Sequence, residues 1–200
     1  EKELREALAM GCDEAVLLSA PEFAGGDTWA TAYCLARAIA TLGEFDLIIC
    51  GKQAIDGDTG QVGPGLANHL GIPQLTYVFR VHECDPGARR IRVERLLEEG
   101  REIVDAPLPA LLTVVKDINS PRYPTPRSLR RARRTEIPIW GPADLSGLDV
   151  GSVGLEGAPT RVVQVFTPPA RGGRAEMLDG DTPETQAAAL ADRLLTERVV

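Results

Sequence analysis

The segment that offers most chemistry is a loop rich in glycine and aspartate, Gly51-Lys-Gln-Ala-Ile-Asp-Gly-Asp-Thr-Gly-Gln-Val-Gly-Pro64. It follows a predicted buried strand and precedes a predicted helix, the edge at which open α/β sheets bind ligands. Its glycines allow close backbone approach to a ligand. Asp58 and Gln61 have the spacing of a capping box, and Pro64 suggests that the regular helical turns begin there. The N–H groups of Thr59, Gly60 and Gln61 would then be ready to bind a phosphate.

By spacing alone this loop matches no standard phosphate motif. No Gly-Lys-Ser/Thr follows it, so it is not a Walker A loop, and it is not a Gly-x-Gly-x-x-Gly fingerprint. A well-capped loop without a ligand therefore stays open as an alternative.

A second polar loop, Phe23–Thr31, also joins a predicted strand to a predicted helix. Asp27, Thr28 and Thr31 stand at the first turn of that helix, where simple N-capping by Asp27 is the alternative interpretation. Two such loops at the same edge of a sheet favour a nucleotide cleft.

The stretch 116–134 is strongly basic, with Lys116 and six arginines against Asp117 alone. Several of these arginines fall on a short predicted helix with Leu129 as an apolar position. A solvated basic face, an acidic protein partner and RNA are the open interpretations. Tyr123 is the one aromatic residue of this stretch, which is too few for stacking with RNA bases. An acidic protein partner, in contrast, would be attracted by the positive charge and would associate faster.

Helices and strands alternate around these loops, which indicates an α/β sheet with parallel strands, finished by an antiparallel element. The predicted elements are helix Glu1–Met10, strand Ala15–Leu18, helix Thr28–Leu42, strand Phe45–Cys50, a helix ending near Leu70, and strands Leu75–Val81, Ile91–Leu97 and Ala110–Val115. The chain starts in a mid-helix pattern without the strand that should precede it, so we expect a piece of a longer protein. Residues 1–137 form the predicted nucleotide-binding domain.

From about Pro121 onward, prolines and glycines break regular structure. Residues 138–200 are predicted to form a C-terminal arm that lies on a partner, with a last helix from Pro183 to about Arg198, capped by Asp181 or Thr182.

Composition limits the function classes. The 200 residues carry a net charge of −7 and 4% aromatics, which argues against general nucleic-acid binding. No apolar run approaches the roughly 20 residues that span a bilayer. The cysteines, at 12, 34, 50 and 84, form no Cys-x-x-Cys pair. We expect buried reduced thiols, no metal site and a cytoplasmic location.

Three stretches resemble the beta subunit of electron transfer flavoprotein: residues 46–78, 114–138 and 154–168. The resemblance implies a HUP-like (adenine nucleotide alpha hydrolase-like) α/β domain with an open, mostly parallel sheet flanked by helices and an extended C-terminal arm. It further implies an alpha subunit that holds the redox FAD, and an adenine nucleotide in the beta-subunit cleft. That nucleotide is AMP in conventional members and a second FAD, reduced by NADH, in electron-bifurcating members. The loops Ala54–Pro64 and Phe23–Thr31 look more like the second group, so we favour FAD.

Motif by motif, the resemblance assigns cofactor contacts to Asp27, Thr28, Thr31, Gly51, Gln53, Asp56, Gly57, Asp58, Thr59, Gly60, Gln61 and Val62. It also implies a docking loop for acyl-CoA dehydrogenases, other flavin dehydrogenases or a quinone oxidoreductase, made of Arg122, Tyr123, Pro126, Arg127, Leu129, Arg130, Arg131, Arg133 and Arg134. The family often has an apolar anchor after the Arg-Tyr pair. Here Pro124-Thr-Pro126 follow, and Leu129 is the nearest apolar candidate.

No catalytic acid, base or nucleophile stands out, so we expect an electron carrier in which the flavin does the redox chemistry. Oxidation of NADH would need the bifurcating type and the alpha subunit. Two alternative functions remain open: an ATP-binding stress-protein-like domain and, less favoured, an RNA-binding module.

Overall fold

The computed structural model describes residues 1–169, 172, 175 and 177–198. Residues 170, 171, 173, 174, 176, 199 and 200 of the predicted arm lie outside the described residues. The chain divides into two compact units, residues 1–161 and 162–200.

The first unit contains five helices and seven strands among its described residues. The helices are α1 (Lys2–Met10), α2 (Thr28–Leu42), α3 (Val62–Leu70), α4 (Pro126–Arg134) and the short α5 (Gly154–Gly157). The strands are β1 (Leu17–Leu18), β2 (Leu47–Gly51), β3 (Gln74–Asp85), β4 (Arg90–Leu97), β5 (Gly100–Pro107), β6 (Ala110–Val114) and β7 (Ile139–Trp140).

The main sheet has five strands in the order β2-β6-β3-β4-β5. Strands β2, β6 and β3 are parallel, whereas β3, β4 and β5 form an antiparallel meander. The expectation of a mostly parallel sheet was therefore wrong, and the sheet is mixed. Short connections such as Glu98–Glu99 join only antiparallel strands. Strand β5 was not predicted because it lies at the exposed edge of the sheet, its apolar residues do not alternate with polar ones, and Ile103 at its centre is 62% exposed.

Strand β1 does not join the main sheet. Its two residues pair in parallel with β7, Leu17 with Ile139 and Leu18 with Trp140. The prediction of a buried strand over Ala15–Leu18 was wrong, because the strand is shorter and only half-buried. Its partner β7 is separated from it by more than a hundred residues, a pairing that no local pattern reveals.

Residues 138–161, which we expected to begin the arm, belong to the first compact unit. Leu145 and Val153 are buried there against Cys34 and Ala38 of α2. The second unit contains one helix in its described part, α6 (Pro183–Thr196), capped by the side chain of Thr182 as predicted.

Helix α3 packs tightly on the sheet through a glycine. A Cβ on Gly63 would lie 2.5 Å from Cγ2 of Thr113 in β6, so only glycine allows this approach. The helix begins at Val62, two residues before the predicted start at Pro64. Proline is tolerated in the first turn because that turn has no intrahelical acceptor for its amides.

The meander carries a buried carboxylate, Glu94, which is 8% exposed. Arg101 and His82 each bond one of its oxygens at 3.0 Å. Burial by itself raises the pKa of Glu94, but the hydrogen bonds from Arg101 and His82 outweigh it and hold the pKa below its usual value. The charged form of Glu94 thus stabilises the meander.

Replacing Glu94 by glutamine should lower the urea midpoint of unfolding, because Arg101 and His82 lose their shared anion. The matched control is Glu102→Gln, which breaks the more exposed pair with Arg95. We expect a clearly smaller shift for the control, since exposed ion pairs contribute little. Equal midpoints for the two variants in urea denaturation would contradict this role of Glu94.

Candidate functional site

The loop 51–61 leaves the carboxyl end of β2 and is held by its own short-range bonds. The Asp58 amide donates to the Ala54 carbonyl at 3.0 Å, and the side-chain amide of Gln53 donates to the Asp58 carboxylate. The Gly57 amide donates to Asp56 at 2.9 Å. Asp58 and Gly60 both have left-handed backbone, with φ of 49° and 63°. The loop thus doubles back towards β2 before α3 begins.

The predicted capping box between Asp58 and Gln61 was wrong. Gln61 is itself the N-cap residue of α3, and its side chain makes no capping bond. Asp58 instead bonds Gln53, so it is turned towards the start of the loop. The amides of Thr59, Gly60 and Gln61 consequently donate to no acceptor within the part of the chain that the structure describes.

The two predicted loops meet at the sheet edge. The Thr28 hydroxyl at the start of α2 donates to Oε1 of Gln61 at 2.8 Å. This contact confirms that the segment Phe23–Thr31 and the loop 51–61 face each other. Thr31, one turn further along α2, borders a separate cavity of about 230 Å³ lined by residues including Phe23, Cys34 and Val153.

Both carboxylate oxygens of Asp27 accept hydrogen bonds from other residues of the protein. Its Oδ1 accepts the amides of Trp29 and Ala30, both at 3.0 Å, which confirms the predicted N-cap. Its Oδ2 accepts the amide and the hydroxyl of Thr160 at 3.0 and 2.7 Å. The Thr160 contact was missed, because no sequence signal links residues 133 positions apart. Asp27 therefore fastens the end of the first unit to α2.

The loop geometry fits a phosphate-bearing ligand. A Cβ added at Gly51 or Gly57 would meet only open space, so the backbone there is accessible. The three unpaired amides stand at the N-terminus of a nine-residue helix, where partial positive charge gathers. Asp56 and Asp58 each accept a bond from within the loop, which partly offsets their repulsion of an anion.

Helix α4 carries the basic segment and is attached to α1 through reciprocal arginine bonds. Arg131 donates to the carbonyls of Leu8 and Cys12 at 3.0 Å, at the end of α1. Arg5 donates to the carbonyls of Ala132 and Thr135 at 2.7 and 3.1 Å, at the end of α4. Arg131, assigned to docking from the sequence, is thus held in the fold.

The remaining docking candidates are exposed. Tyr123 is 94% exposed, and the arginines among them form no ion pair within the described residues. Leu129 is 40% exposed and borders a groove beside α1. A different concave face of α4, of about 350 Å³, is lined by Arg127, Arg130, Arg131, Arg134 and Thr135.

The cysteines divide into two groups. Cys34 is buried and Cys50 is half-buried, and burial raises the pKa of both thiols. Cys12 and Cys84 are exposed, so the expectation of buried thiols was wrong for these two. Cys12 directly follows Gly11, where α1 ends, and its side chain lies at the surface.

Comparison with known proteins gives a family match over residues 1–145, the electron transfer flavoprotein domain. The chain is similar to the electron transfer flavoprotein subunit beta of Megasphaera elsdenii, with 43% identity over 98% of this chain and 74% of that protein. It is equally similar, at 43%, to the caffeyl-CoA reductase-Etf complex subunit CarD of Acetobacterium woodii, over 98% of this chain and 73% of the relative. Protein FixA of Azorhizobium caulinodans is 43% identical over 98% of this chain and 70% of its own length.

Among the helices of the described residues, none has the length and apolar character to cross a membrane.

Removing the Asp27 carboxylate should destabilise the first unit. Asp27→Ala loses the α2 cap and the Thr160 bonds, at a cost of about 1–2 kcal/mol in the free energy of unfolding. Thr160→Val, the control, keeps the cap and should cost less. Urea denaturation of both variants checks this order, and equal losses would contradict it.

The Asp27 contribution should also depend on pH. Burial alone raises the pKa of Asp27, but the bonds from Thr160, Ala30 and Trp29 outweigh it and lower the pKa below its ordinary 3.8. The stabilisation is therefore full above that ordinary value and is lost as the pH falls through the lower folded value. The difference in stability between wild type and Asp27→Ala should shrink on acidification over that range, and a constant difference would argue against the ionised cap.

Proposed function

Because the chain belongs to the electron transfer flavoprotein family, we propose that it is a beta-type subunit that binds an adenine nucleotide at the carboxyl edge of its sheet. With an alpha-type subunit it passes electrons between flavin enzymes. The observation that carries the nucleotide proposal is the trio of unpaired amides at Thr59, Gly60 and Gln61, opposite Thr28. Because of this family membership, we prefer this function over the two alternatives, an ATP-binding stress-protein-like domain and an RNA-binding module.

The residues of the cleft suit distinct parts of an adenine nucleotide. The helix N-terminus and its unpaired amides bind the phosphate. The hydroxyl of Thr28 and the carboxylates of Asp56 and Asp58 offer partners for ribose hydroxyls or the adenine amino group. Asp27, with both oxygens engaged, contributes by setting the position of Thr28 on α2.

We favour FAD over AMP in this cleft, on the resemblance of the loop Ala54–Pro64 to that of electron-bifurcating members. A flavin bound there supplies the redox chemistry, and the chain supplies its binding and orientation. In that case the two-subunit complex would also oxidise NADH and divide its electrons between two acceptors. The similarity to a subunit of an Etf complex with a caffeyl-CoA reductase is compatible with an acyl-CoA-type enzyme as one partner.

The alpha-type subunit is proposed to cover the segment that follows the first unit. Val162, Val163, Val165 and Phe166 are between 73% and 97% exposed. Apolar side chains in such a run are typical of an interface. The partner subunit would bury them, as we expected for the C-terminal arm.

Partner dehydrogenases, or a quinone oxidoreductase, are proposed to dock on the exposed residues of the basic segment. Its unpaired arginines would attract an acidic surface and accelerate a short-lived encounter. We place this exchange in the cytoplasm, in line with the reduced cysteines expected from the sequence.

Distorting the loop should release the nucleotide from the two-subunit complex. Gly60→Val forces a β-branched residue into φ 63°, beside the phosphate amides. Gly71→Val is the matched control, since Gly71 has φ 65° and open space at its Cβ position but lies at the other end of α3. Asp58→Ala removes the bond to Gln53 and should also weaken binding.

Chromatography of the nucleotides released per complex provides the measurement. We expect wild type and Gly71→Val to release two FAD per complex, and Gly60→Val to release one. One FAD and one AMP from wild type would refute FAD in this cleft while leaving the nucleotide site. Full nucleotide content in Gly60→Val would refute the loop assignment.

Reversing one exposed charge on α4 should slow docking. Arg130→Glu is expected to lower the rate of electron transfer from a partner dehydrogenase several-fold at low ionic strength, with the difference vanishing at high salt. Arg80→Glu makes the same charge change on the meander and serves as the control. Stopped-flow reduction of the complex measures both, and equal slowing by the two variants would contradict a docking role for α4.

A further inference from the structure

Strand β5 is the open edge of the meander, and its pairing is regular over the whole strand. It is the last strand in the order β2-β6-β3-β4-β5, and among the described residues it pairs only with β4. That pairing runs without a bulge from Arg90 opposite Pro107 to Leu97 opposite Gly100, whereas the pairings of β3 with β4 and with β6 both contain register shifts. Proteins commonly use bulges or short strands to keep an edge from pairing with another chain. The eight residues of β5 have neither, and its proline stands at the very end.

The backbone groups of three residues in β5 point away from the sheet. The Leu108 amide donates to the Arg89 carbonyl at 2.9 Å, which continues the β4–β5 register by one position. Along an antiparallel pair, residues that exchange hydrogen bonds alternate with residues that do not. The even-numbered residues of β5 therefore bond β4, and the N–H and C=O groups of Arg101, Ile103 and Asp105 face outward.

An exposed apolar side chain stands at the centre of this edge, between charges of opposite sign. Ile103 is 62% exposed. Arg101 precedes it by two positions and Asp105 follows it by two, so the three side chains lie on the same face of the strand. Val104 points to the opposite face and packs on the core cluster of the meander. The exposed face of β5 thus carries a positive, an apolar and a negative residue in that order, and a second copy running in the opposite direction presents the complementary order.

An antiparallel pair of two β5 strands centred on Ile103 satisfies all of these groups together. In that register Arg101 of each copy lies opposite Asp105 of the other, and the three outward-facing residues take the hydrogen-bonded positions. The two Ile103 side chains meet at the two-fold axis and cover each other. A shift that centres the pair on Glu102 would place two carboxylates opposite each other, which is destabilising. A shift in the other direction, centred on Val104, would place Ile103 opposite Asp105.

The bonds that Arg101 and Asp105 already make prepare them for such a contact. Arg101 donates to buried Glu94 at 3.0 Å, and Asp105 accepts from Arg92 at 3.0 and 3.1 Å. These bonds hold both side chains on the exposed face of the meander, so little side-chain entropy is lost when a second copy arrives. The side chains of Arg101 and Asp105 are still 55% and 40% exposed, and each has hydrogen-bonding capacity left for a second partner.

We propose that two copies of the chain pair through their β5 strands, antiparallel and centred on Ile103, so that their two five-stranded sheets become one continuous sheet. The same surface is used by both copies, and the contact therefore closes at two. One strand from each copy supplies most of the interface, so it is small, and we expect a dissociation constant on the order of 10 μM. The contact involves neither the loop 51–61 nor the basic segment, and it does not depend on the proposed function.

The test uses the two-subunit complex, whose mass is measured by light scattering during size-exclusion chromatography over a range of protein concentrations. We expect the mass to rise with concentration from that of one complex towards that of two. Ile103→Lys places two like charges against each other at the two-fold axis and should abolish this rise. Ile139→Lys is the matched control, because Ile139 is 64% exposed and lies in β7, outside the meander. The control should associate like wild type.

Two substitutions that each remove one negative charge from β5 test the register. Asp105→Asn removes both ion pairs between the copies and should raise the dissociation constant about fivefold. Glu102→Gln, on the opposite face of the strand, should change it less than twofold. Tighter association of Glu102→Gln would indicate the register centred on Glu102 and would overturn the one proposed here.

Chemical cross-linking provides a measurement that does not depend on the lysine variant. Ile103→Cys should be joined to its own copy by a short bismaleimide, and mass spectrometry of the linked peptides should identify position 103 in both chains. Ile139→Cys, the control, should give no link between the two copies of position 139. The native exposed thiols, Cys12 and Cys84, are distinguished from these positions by their peptides.

Three outcomes would overturn the pairing of β5 with itself. The first is a mass of one complex at every concentration, together with no link between the two copies of Ile103→Cys. The second is association that Ile103→Lys leaves unchanged, because the contact then lies elsewhere. The third is loss of the alpha-type subunit from Ile103→Lys, since that subunit and not a second copy would then cover β5.

Discussion

The close approach of α3 to β6 is the constraint on which the rest of the site depends. Gly63 allows it, because any larger residue would collide with Thr113. Thr113 is 2% exposed and has a second role, since its hydroxyl accepts the Tyr77 amide. The same buried threonine thus contacts α3 and also holds the irregular part of β3 at Tyr77, where φ is 59°. The position of α3 on the sheet is therefore set by core packing and not by the exposed loop.

Several polar residues that resemble ligand contacts in the sequence hold the fold together. Asp27 joins α2 to Thr160, and Arg131 joins α4 to the end of α1. In both cases a charged side chain satisfies backbone groups at a helix end, where the intrahelical bonds run out. The unpaired groups of the loop before α3 are backbone amides, which would suit the proposed role of positioning a cofactor without reacting with it.

Local signals in the sequence predicted the local structure well. Asp27 and Gly43 mark the ends of α2, and Gly11 ends α1, because caps and glycine stops act within one turn. The contact between the two loops was expected from their strand–loop–helix order, but the premise that both strands lie in one sheet was wrong, because β1 pairs with β7 outside the main sheet. The β1–β7 pairing and the Thr160 bond could not be predicted, since they join segments more than a hundred residues apart. The irregularity of β3 at Tyr77 was missed because it depends on the register with β6.

The reciprocal bonds of Arg5 and Arg131 attach α1 and α4 to each other at both helix ends. A protein that lands on the arginine face of α4 meets a surface that is already ordered, so little conformational entropy is lost on contact. Weak binding can then be set by charge alone, with rapid arrival and rapid departure. If partner enzymes dock on α4 as proposed, such a pre-ordered surface would favour rapid exchange of partners over long-lived complexes.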